Sequence, residues 1–472
     1  MQFDSLTFVV FFLALMALYQ LPWSWNARKW LLLVASFVFY GAWSPPFLLL
    51  LIASASVDWW LSLCIAGSTS PPARRRWLIV SISANLGLLG FFKYGNFLNH
   101  NVATLLGALG IDWQAPSFDI LLPIGISFYT FQSLSYCIDV YRGQVPVQRS
   151  LRDYVLFVAF FPQLVAGPIV RYSVFREQLE QPRRSTADGV FVGISLMLIG
   201  LFQKIVLADS VFAPVADTGF VIGAEPGVAL AWGATIAFSG QIFCDFAGYS
   251  MCAIGCAMML GFYLPDNFRS PYAAIGFSDF WRRWHISLSS WLRDYLYVPL
   301  GGSRGSSLFT ARNMMLTMVL GGLWHGAAWT FVAWGAFHGL WLGIERAARA
   351  AMPNHAWLQA APLRWLYGLF TLLVVMWAWV WFRAPDFATA SKVHMALLGL
   401  GETAHVAVSN EARIAMIAFA LLWLTHWLTR SLDLRSALSR LPAWCAGLFW
   451  GLLLGAIVLS PGAGRAFIYF QF

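Results

Sequence analysis

Charge is scarce in this chain. Charged residues fill 11% of its 472 positions and apolar residues 59%. So few charges cannot wet the surface of one large soluble domain, and a buried core cannot absorb the apolar excess. A soluble class is excluded, and a polytopic membrane protein remains. Metal-site motifs are missing as well. Cys64, Cys137, Cys244, Cys252, Cys256 and Cys445 lie in or beside apolar segments, and none forms CxxC. Cys252 and Cys256 have helical rather than zinc-ribbon spacing, so the six read as small buried hydrophobes. There is no HExxH, which weakens an intramembrane metalloenzyme, and no GxxxxGK[ST], which disfavours an ATP-driven pump. No repeat of fixed period appears, which weakens a transporter built from duplicated halves. The first apolar run, SLTFVVFFLALMALYQLPW, has no basic segment before it and no clear small-residue cleavage site. It reads as a retained first helix rather than a signal peptide.

Aromatic rings are abundant at 17%, with 25 tryptophans, which suits side chains placed at lipid–water boundaries. The formal charge of +9 comes from arginines and lysines gathered in short segments between apolar runs. That distribution fits positive-inside topology and not nucleic-acid binding. Runs long enough to cross roughly 30 Å of hydrocarbon predict helices near 5–22, 30–44, 46–66, 77–97, 118–139, 187–208, 227–262, 313–344, 363–382, 411–429 and 442–460. The 227–262 stretch is expected to contain a break or bend. Arg28 and Lys29 follow the first helix, and Arg74, Arg75 and Arg76 follow the third. Both loops are cytoplasmic if the N-terminus lies outside, and the same parity puts Arg142, Arg149 and Arg152 inside.

Two segments then resist a simple crossing. The stretch YVLFVAFFPQLVAGPIV (154–170) has basic residues on both flanks, so a re-entrant segment broken at Pro162 and Gly167-Pro168 is expected. The 313–344 run is likewise flanked by Arg312 and by Arg346 and Arg349, and Gly321-Gly322 interrupts it just before Trp324-His325. His325 is therefore expected at a break facing an internal cavity, since an ionisable ring in apolar surroundings needs a partner or a use.

Between these regions, FSDFWRRWHISLSSWLRDYLYVPLGGSRGS (277–306) is amphipathic. Trp281, Trp284, Leu288, Trp291, Leu292 and Tyr295 follow one helical face, with Arg282, Arg283, Ser289, Ser290, Arg293 and Asp294 on the other. Ser278 is a plausible N-cap, and Pro299 with Gly301-Gly302 ends the pattern. This suits a helix lying along the cytoplasmic interface, either as a brace or as part of a site. His285 falls on its aromatic side. With His325 it suggests a site reached from the cytoplasm and open into the bilayer. His338 lies thirteen residues beyond His325, about 220° around a continuous helix, so the two do not share a cavity unless the helix bends. His338, and His426 in a late helix, receive no chemistry, nor do His100, His355, His394 and His405, read as loop or end residues.

These residues resemble the membrane-bound O-acyltransferase superfamily. DFWRRWHISLSSWLRDYLYVPLGG followed by LGGLWHGAAWTFVAWGAFHG carries its signature histidine at His325 and the partner position at His285. LLPIGISFYTFQSLSYCIDVYRG (121–143), FFPQLVAGPIVRY (160–172), QIFCDFAGYSMCAIG (241–255) and the terminal FIYFQF resemble its bacterial alginate O-acetyltransferase branch. The third of these carries Cys244 and Met251 where that branch more often has Tyr and Asp.

The resemblance implies an all-α polytopic fold, about 11 transmembrane or re-entrant helices plus an interfacial helix around a central tunnel. The whole of 1–472 is then one domain, with N-terminal helices in 1–112, a core in 113–345 and C-terminal helices in 346–472. It implies an enzyme of a bacterial inner membrane, N-terminus periplasmic, with no bound cofactor. A cytoplasmic thioester, acetyl-CoA or another, would donate an acyl group that passes His325 to the outer face. There a periplasmic or membrane-tethered serine esterase-like partner would place it on a polysaccharide such as alginate, cellulose or peptidoglycan. D-alanyl transfer towards teichoic acid is the alternative within the superfamily. Water-poor surroundings favour neutral imidazole, the form competent as a general base. His325 is expected to take the hydroxyl proton, and His285 to position the donor or stabilise charge on the thioester oxygen. Arg282, Arg283 and Arg293 suit the donor's phosphates or, equally, anionic lipid headgroups. Asp245 and Asn313 are candidates to orient an imidazole, each read first as structural. A polysaccharide exporter and a structural scaffold are the non-enzymatic rivals.

Overall fold

Serine and proline mark many helix starts in the computed structural model, which describes residues 1–113, 116, 121–352, 360–401, 408–460 and 464–468. The hydroxyls of Ser24, Ser70, Ser150, Ser306 and Ser409 each accept a backbone N–H from three residues on. Each such cap is worth about 1 kcal/mol. Pro45 and Pro71 fill first-turn positions where no N–H is needed. Among the described residues every regular element is helical.

The chain divides into two compact units, Met1–Gly193 with Ala253–Pro265, and Ile194–Cys252 with Asp266–Phe472. The first holds α1 (Leu6–Gln20), α2 (Trp25–Gly41), α3 (Pro45–Gly67), α4 (Pro71–Ala108), α5 (Ile126–Arg142), α6 (Leu151–Ala159), α7 (Phe161–Leu164) and α8 (Tyr172–Glu180). α4 is longer than the apolar run implies, because a π-helical turn at Gly90–Tyr94 joins two helical stretches. It includes His100. Polar groups of α3 and α4 meet at the buried Asp58, to which Ser81 and Asn85 donate at 3.0 and 2.7 Å. The 154–170 stretch is buried throughout. Its break lies at Phe160, two residues ahead of Pro162, because side chains there replace helix bonds. Ser36 accepts the Phe161 N–H at 3.1 Å, and Gln163 donates to the Phe157 carbonyl at 2.6 Å.

Two long helices follow, α9 (Ala187–Gly219), which contains a π-helical stretch at Phe202–Phe212, and α10 (Val228–Met259). The break expected in 227–262 is absent, and α10 runs for 32 residues. A helix longer than the hydrocarbon accommodates by tilting or by extending past it, so length alone required no break.

The second unit continues with α11 (Phe277–Arg283), α12 (Ile286–Leu292), α13 (Ser307–His325), α14 (Trp329–Ala351) and α15 (Ala361–Arg383). It ends with α16 (Phe387–Leu397), α17 (Asn410–Leu428), α18 (Leu434–Ser439) and α19 (Ala443–Leu459). His394 lies in α16 rather than in a loop. His355, His405, the start of the expected 118–139 helix and the final FIYFQF beyond Ile468 fall outside the described residues. By length and composition α3, α4, α9, α10, α15 and α17 suit membrane crossing, and α1 and α19 are shorter apolar helices. Leu6, Ile417, Leu421 and Val458 stand exposed along α1, α17 and α19, as a lipid-facing surface requires. This is an all-α polytopic membrane protein.

Candidate active site

α13 ends on a histidine. The break expected at Gly321-Gly322 falls four residues later: α13 stays helical through His325, and extended backbone at Gly326 and Ala328 turns the chain into α14. Gly322 serves packing instead. A Cβ there would run into the Phe331 carbonyl and lie 3.1 Å from the Gly335 Cα, so small residues let α13 and α14 close on each other. His325 is buried, with ring centroids of Trp324, Trp334 and Phe382 at 5.0, 5.1 and 5.4 Å.

The second histidine breaks its own helix. The amphipathic 277–306 segment is not one continuous helix. His285 sits between α11 and α12 in the left-handed region, φ 42° and ψ 55°, a conformation rare for a side chain with a Cβ. The loop at 266–269 holds it there. The Arg269 N–H donates to the Arg283 carbonyl at 3.0 Å, and the Ile286 N–H to the Asn267 carbonyl at 2.9 Å. The N-cap of α11 is Gly276 and not Ser278. The Ser278 N–H donates to the Glu345 carboxylate of α14 at 2.8 Å, so a side chain from another helix does the capping.

Asn267 also sets the chemistry of His285. Its Oδ1 lies 3.0 Å from Nδ1 and accepts from the Ser287 hydroxyl at 2.9 Å, while its Nδ2 donates to the Ser250 hydroxyl at 3.2 Å. A carbonyl oxygen cannot donate, so Nδ1 carries the proton and Nε2 the lone pair of the neutral ring. Burial pushes the imidazole well below the usual histidine range, which keeps that neutral form at pH 7. Phe246 packs edge-on at 4.7 Å, and the His285 and His325 rings lie 6.3 Å apart. The two histidines singled out in the sequence thus share one aromatic cluster within a single unit.

The other candidates separate. Arg282 is exposed. Arg283 is engaged, donating to Asp279 at 3.0 Å and to the carbonyls of Arg269 and Arg430 at 3.0 and 3.3 Å. Arg293 is largely exposed and makes a two-pronged pair with Asp294 at 2.7 and 3.2 Å. Asp245 is held by Lys204 at 2.5 Å and by the Ile468 N–H at 2.8 Å, and Asn313 donates to the Gly302 carbonyl at 3.0 Å. The imidazole is oriented instead by Asn267, which the sequence did not disclose: it sits 18 residues from His285 in the loop PDNFRS, with no periodicity linking them. Sequence reasoning also passed over His338. It lies four residues after Trp334 on α14, with the rings 4.9 Å apart, and the turn at 326–328 sets the same Trp334 ring 5.1 Å from His325. Among the described residues no three His, Cys, Asp or Glu side chains gather as a metal site would require.

Comparison with known proteins bears on the same residues. The family model described as MBOAT, membrane-bound O-acyltransferase family, matches residues 145–381, a span that contains both histidines and Asn267. The chain is 43% identical to a protein named probable alginate O-acetylase AlgI from Azotobacter vinelandii, over 90% of this chain and 83% of that one. It is 41% identical to its namesake from Pseudomonas aeruginosa, over 92% and 82%. A protein named peptidoglycan O-acetyltransferase from Helicobacter pylori is 36% identical over 82% and 76%. Identity at this level across most of each chain, with a family match enclosing the paired histidines, makes this chain a member of the membrane-bound O-acyltransferase family.

Proposed function

We propose that the chain moves an acetyl group from a cytoplasmic thioester, acetyl-CoA, across the membrane for O-acetylation of an extracytoplasmic polysaccharide. The observation that carries this reading is the pairing of His325 and His285 at 6.3 Å inside one aromatic cluster. Relatives named for alginate and for peptidoglycan acetylation support a polysaccharide hydroxyl as the final acceptor. A periplasmic or membrane-tethered serine esterase-like partner delivers the group. The basic residues Arg28 and Lys29 near the start of α2 and Arg74, Arg75 and Arg76 near the start of α4 support an inner-membrane topology with the N-terminus periplasmic.

In the proposed reaction a hydroxyl oxygen attacks the thioester carbonyl. His325 takes the hydroxyl proton, the C–O bond forms, the C–S bond breaks, and the proton passes to the departing thiolate. His285 presents a lone pair at Nε2, so in its neutral form it accepts a hydrogen bond and does not donate one to an oxyanion. Positioning of a hydroxyl or thiol fits that tautomer better than charge stabilisation. Arg282 is the most available arginine for donor phosphates. Arg293 would first have to release Asp294, and Arg283 braces the protein.

The test is label transfer from radiolabelled acetyl-CoA to the partner in purified wild type, His325→Ala and His285→Ala. His325→Ala abolishes transfer, by about a thousandfold or more, with membrane insertion and yield unchanged. His285→Ala lowers it by about a hundredfold. Retained acetylation in His325→Ala cells overturns the assignment.

A further inference from the structure

We infer that His338 is a positioning residue that holds a secondary amide of the donor's arm as the thioester reaches His325. The inference rests on the thioester-donor reading above. His338 is 1% exposed, and among the described residues neither of its ring nitrogens has a hydrogen-bond partner. A buried imidazole with both nitrogens unmet is rare enough in a protein interior to demand a reason. The rings around it add to the demand. Trp334 and Trp281 approach at 4.9 and 5.1 Å, and the indole Nε1 atoms of both are buried and likewise without a partner among the described residues. Phe280 stacks at 6.1 Å. A wall of aromatic faces with polar edges left open suits a ligand that is mostly apolar and brings its own donor and acceptor.

A neutral imidazole offers one N–H and one lone pair, and an indole offers an N–H. A secondary amide offers the complement, one N–H and one C=O. The arm that carries thioesters in coenzyme A is an apolar chain interrupted by two such amides. The position along the fold agrees. His338 lies about 13 Å along α14 from Trp329, which follows the turn after His325, and so between His325 and the basic end at Arg346 and Arg349. A donor entering from that end passes His338 before its carbonyl reaches His325. The rings are also held in place. Glu345, seven residues and two turns further along the same face, accepts the Ser278 N–H and so clamps α11, with its Phe280 and Trp281, against α14.

The experiment compares three acetyl donors in the purified enzyme with its partner: acetyl-CoA, S-acetylpantetheine, which keeps both amides without the nucleotide, and S-propyl thioacetate, which has none. The variants are His338→Phe, which keeps a ring without nitrogens, and His338→Gln, which keeps a donor and an acceptor. His338→Phe raises KM for both amide-bearing donors by about tenfold, with kcat within about threefold of wild type. It leaves KM for S-propyl thioacetate unchanged, and His338→Gln recovers most of the loss. An equal change with all three donors, or no change with the amide-bearing pair, overturns the inference while leaving acetyl transfer standing. If His338→Phe does not fold, His338→Leu, which also lacks both ring nitrogens, takes its place, and an unchanged KM for the amide-bearing donors in that variant overturns the inference as well. Wild type that turns over none of the thioesters overturns the donor reading itself, and this inference with it.

Discussion

The carboxamide of Asn267 decides which nitrogen of His285 carries the proton. Its Oδ1 faces Nδ1, the Ser287 hydroxyl and the Ser287 N–H, at 3.0, 2.9 and 3.4 Å, three positions that each call for an acceptor. Removing it frees the ring to rotate and to take the other tautomer, and it also removes an anchor for the left-handed turn. Asn267→Ala therefore lowers kcat by at least about tenfold with a smaller change in donor KM, measured as acetyl transfer in a preparation whose thermal unfolding is compared with wild type. Loss of folding alone would move yield and not kcat per folded molecule. The histidines were legible in the sequence because an ionisable ring among tryptophans is costly without a use. Asn267 was not, because a loop asparagine is ordinary and its contact spans 18 residues with no period to betray it.

At the scale of elements, the sequence located the interruptions in 154–170 and 313–344 to within a few residues, expected one in 227–262 that the fold does not have, and missed the one at His285. The wheel of 277–306 assumed unbroken α geometry, and His285 departs from it at φ 42°. A left-handed histidine has no sequence signature, since it is imposed by the loop packed on it. Gly321-Gly322 looked like a breaker, because glycine is a poor helix former. In the fold Gly322 is instead a point of close approach between α13 and α14. Gly335 faces it, where a Cβ would run into the Met318 carbonyl and lie 3.1 Å from the Val319 Cα. Gly335→Val must push the two helices apart, which costs about 1–3 kcal/mol and moves Trp334 relative to His325. The expected outcome is a lower unfolding temperature together with loss of acetyl transfer. Gly335→Ala, with one methyl, shows a milder version of both, and a Gly335→Val protein with wild-type stability and activity would mean the hairpin is looser than its packing implies.

Over the whole molecule, composition identified the membrane class because a bilayer tolerates an apolar surface that water does not. It was silent on how charges are kept inside such a protein, and there the second unit is informative. Lys204, within the π-helical stretch of α9, donates to Asp209 at 2.9 Å, to Asp245 of α10 at 2.5 Å and to the Arg465 carbonyl at 3.1 Å. Asp245 in turn accepts the Ile468 N–H at 2.8 Å, and next to it Phe467 packs on Phe246 at 5.6 Å, the ring that lies against His285. One lysine thus ties a helix, its neighbour and the end of the described chain to the ring that packs on His285. All three ionisable side chains are at least 95% buried, so removing one partner strands a charge in low dielectric. Lys204→Met is expected to cost about 3–5 kcal/mol and to lower the yield of folded protein. Adding Asp209→Asn and Asp245→Asn removes the stranded charges, so the triple variant recovers stability over the single one. Acetyl transfer should not recover with it, because the Asn side chains no longer draw the chain end onto α10 with the same charge-assisted bonds. Unfolding temperature and acetyl transfer measured on the same three preparations test both halves. A single variant as stable as wild type would show that the buried cluster does not hold the chain end, and a triple variant with full activity would separate that tie from the chemistry at His285.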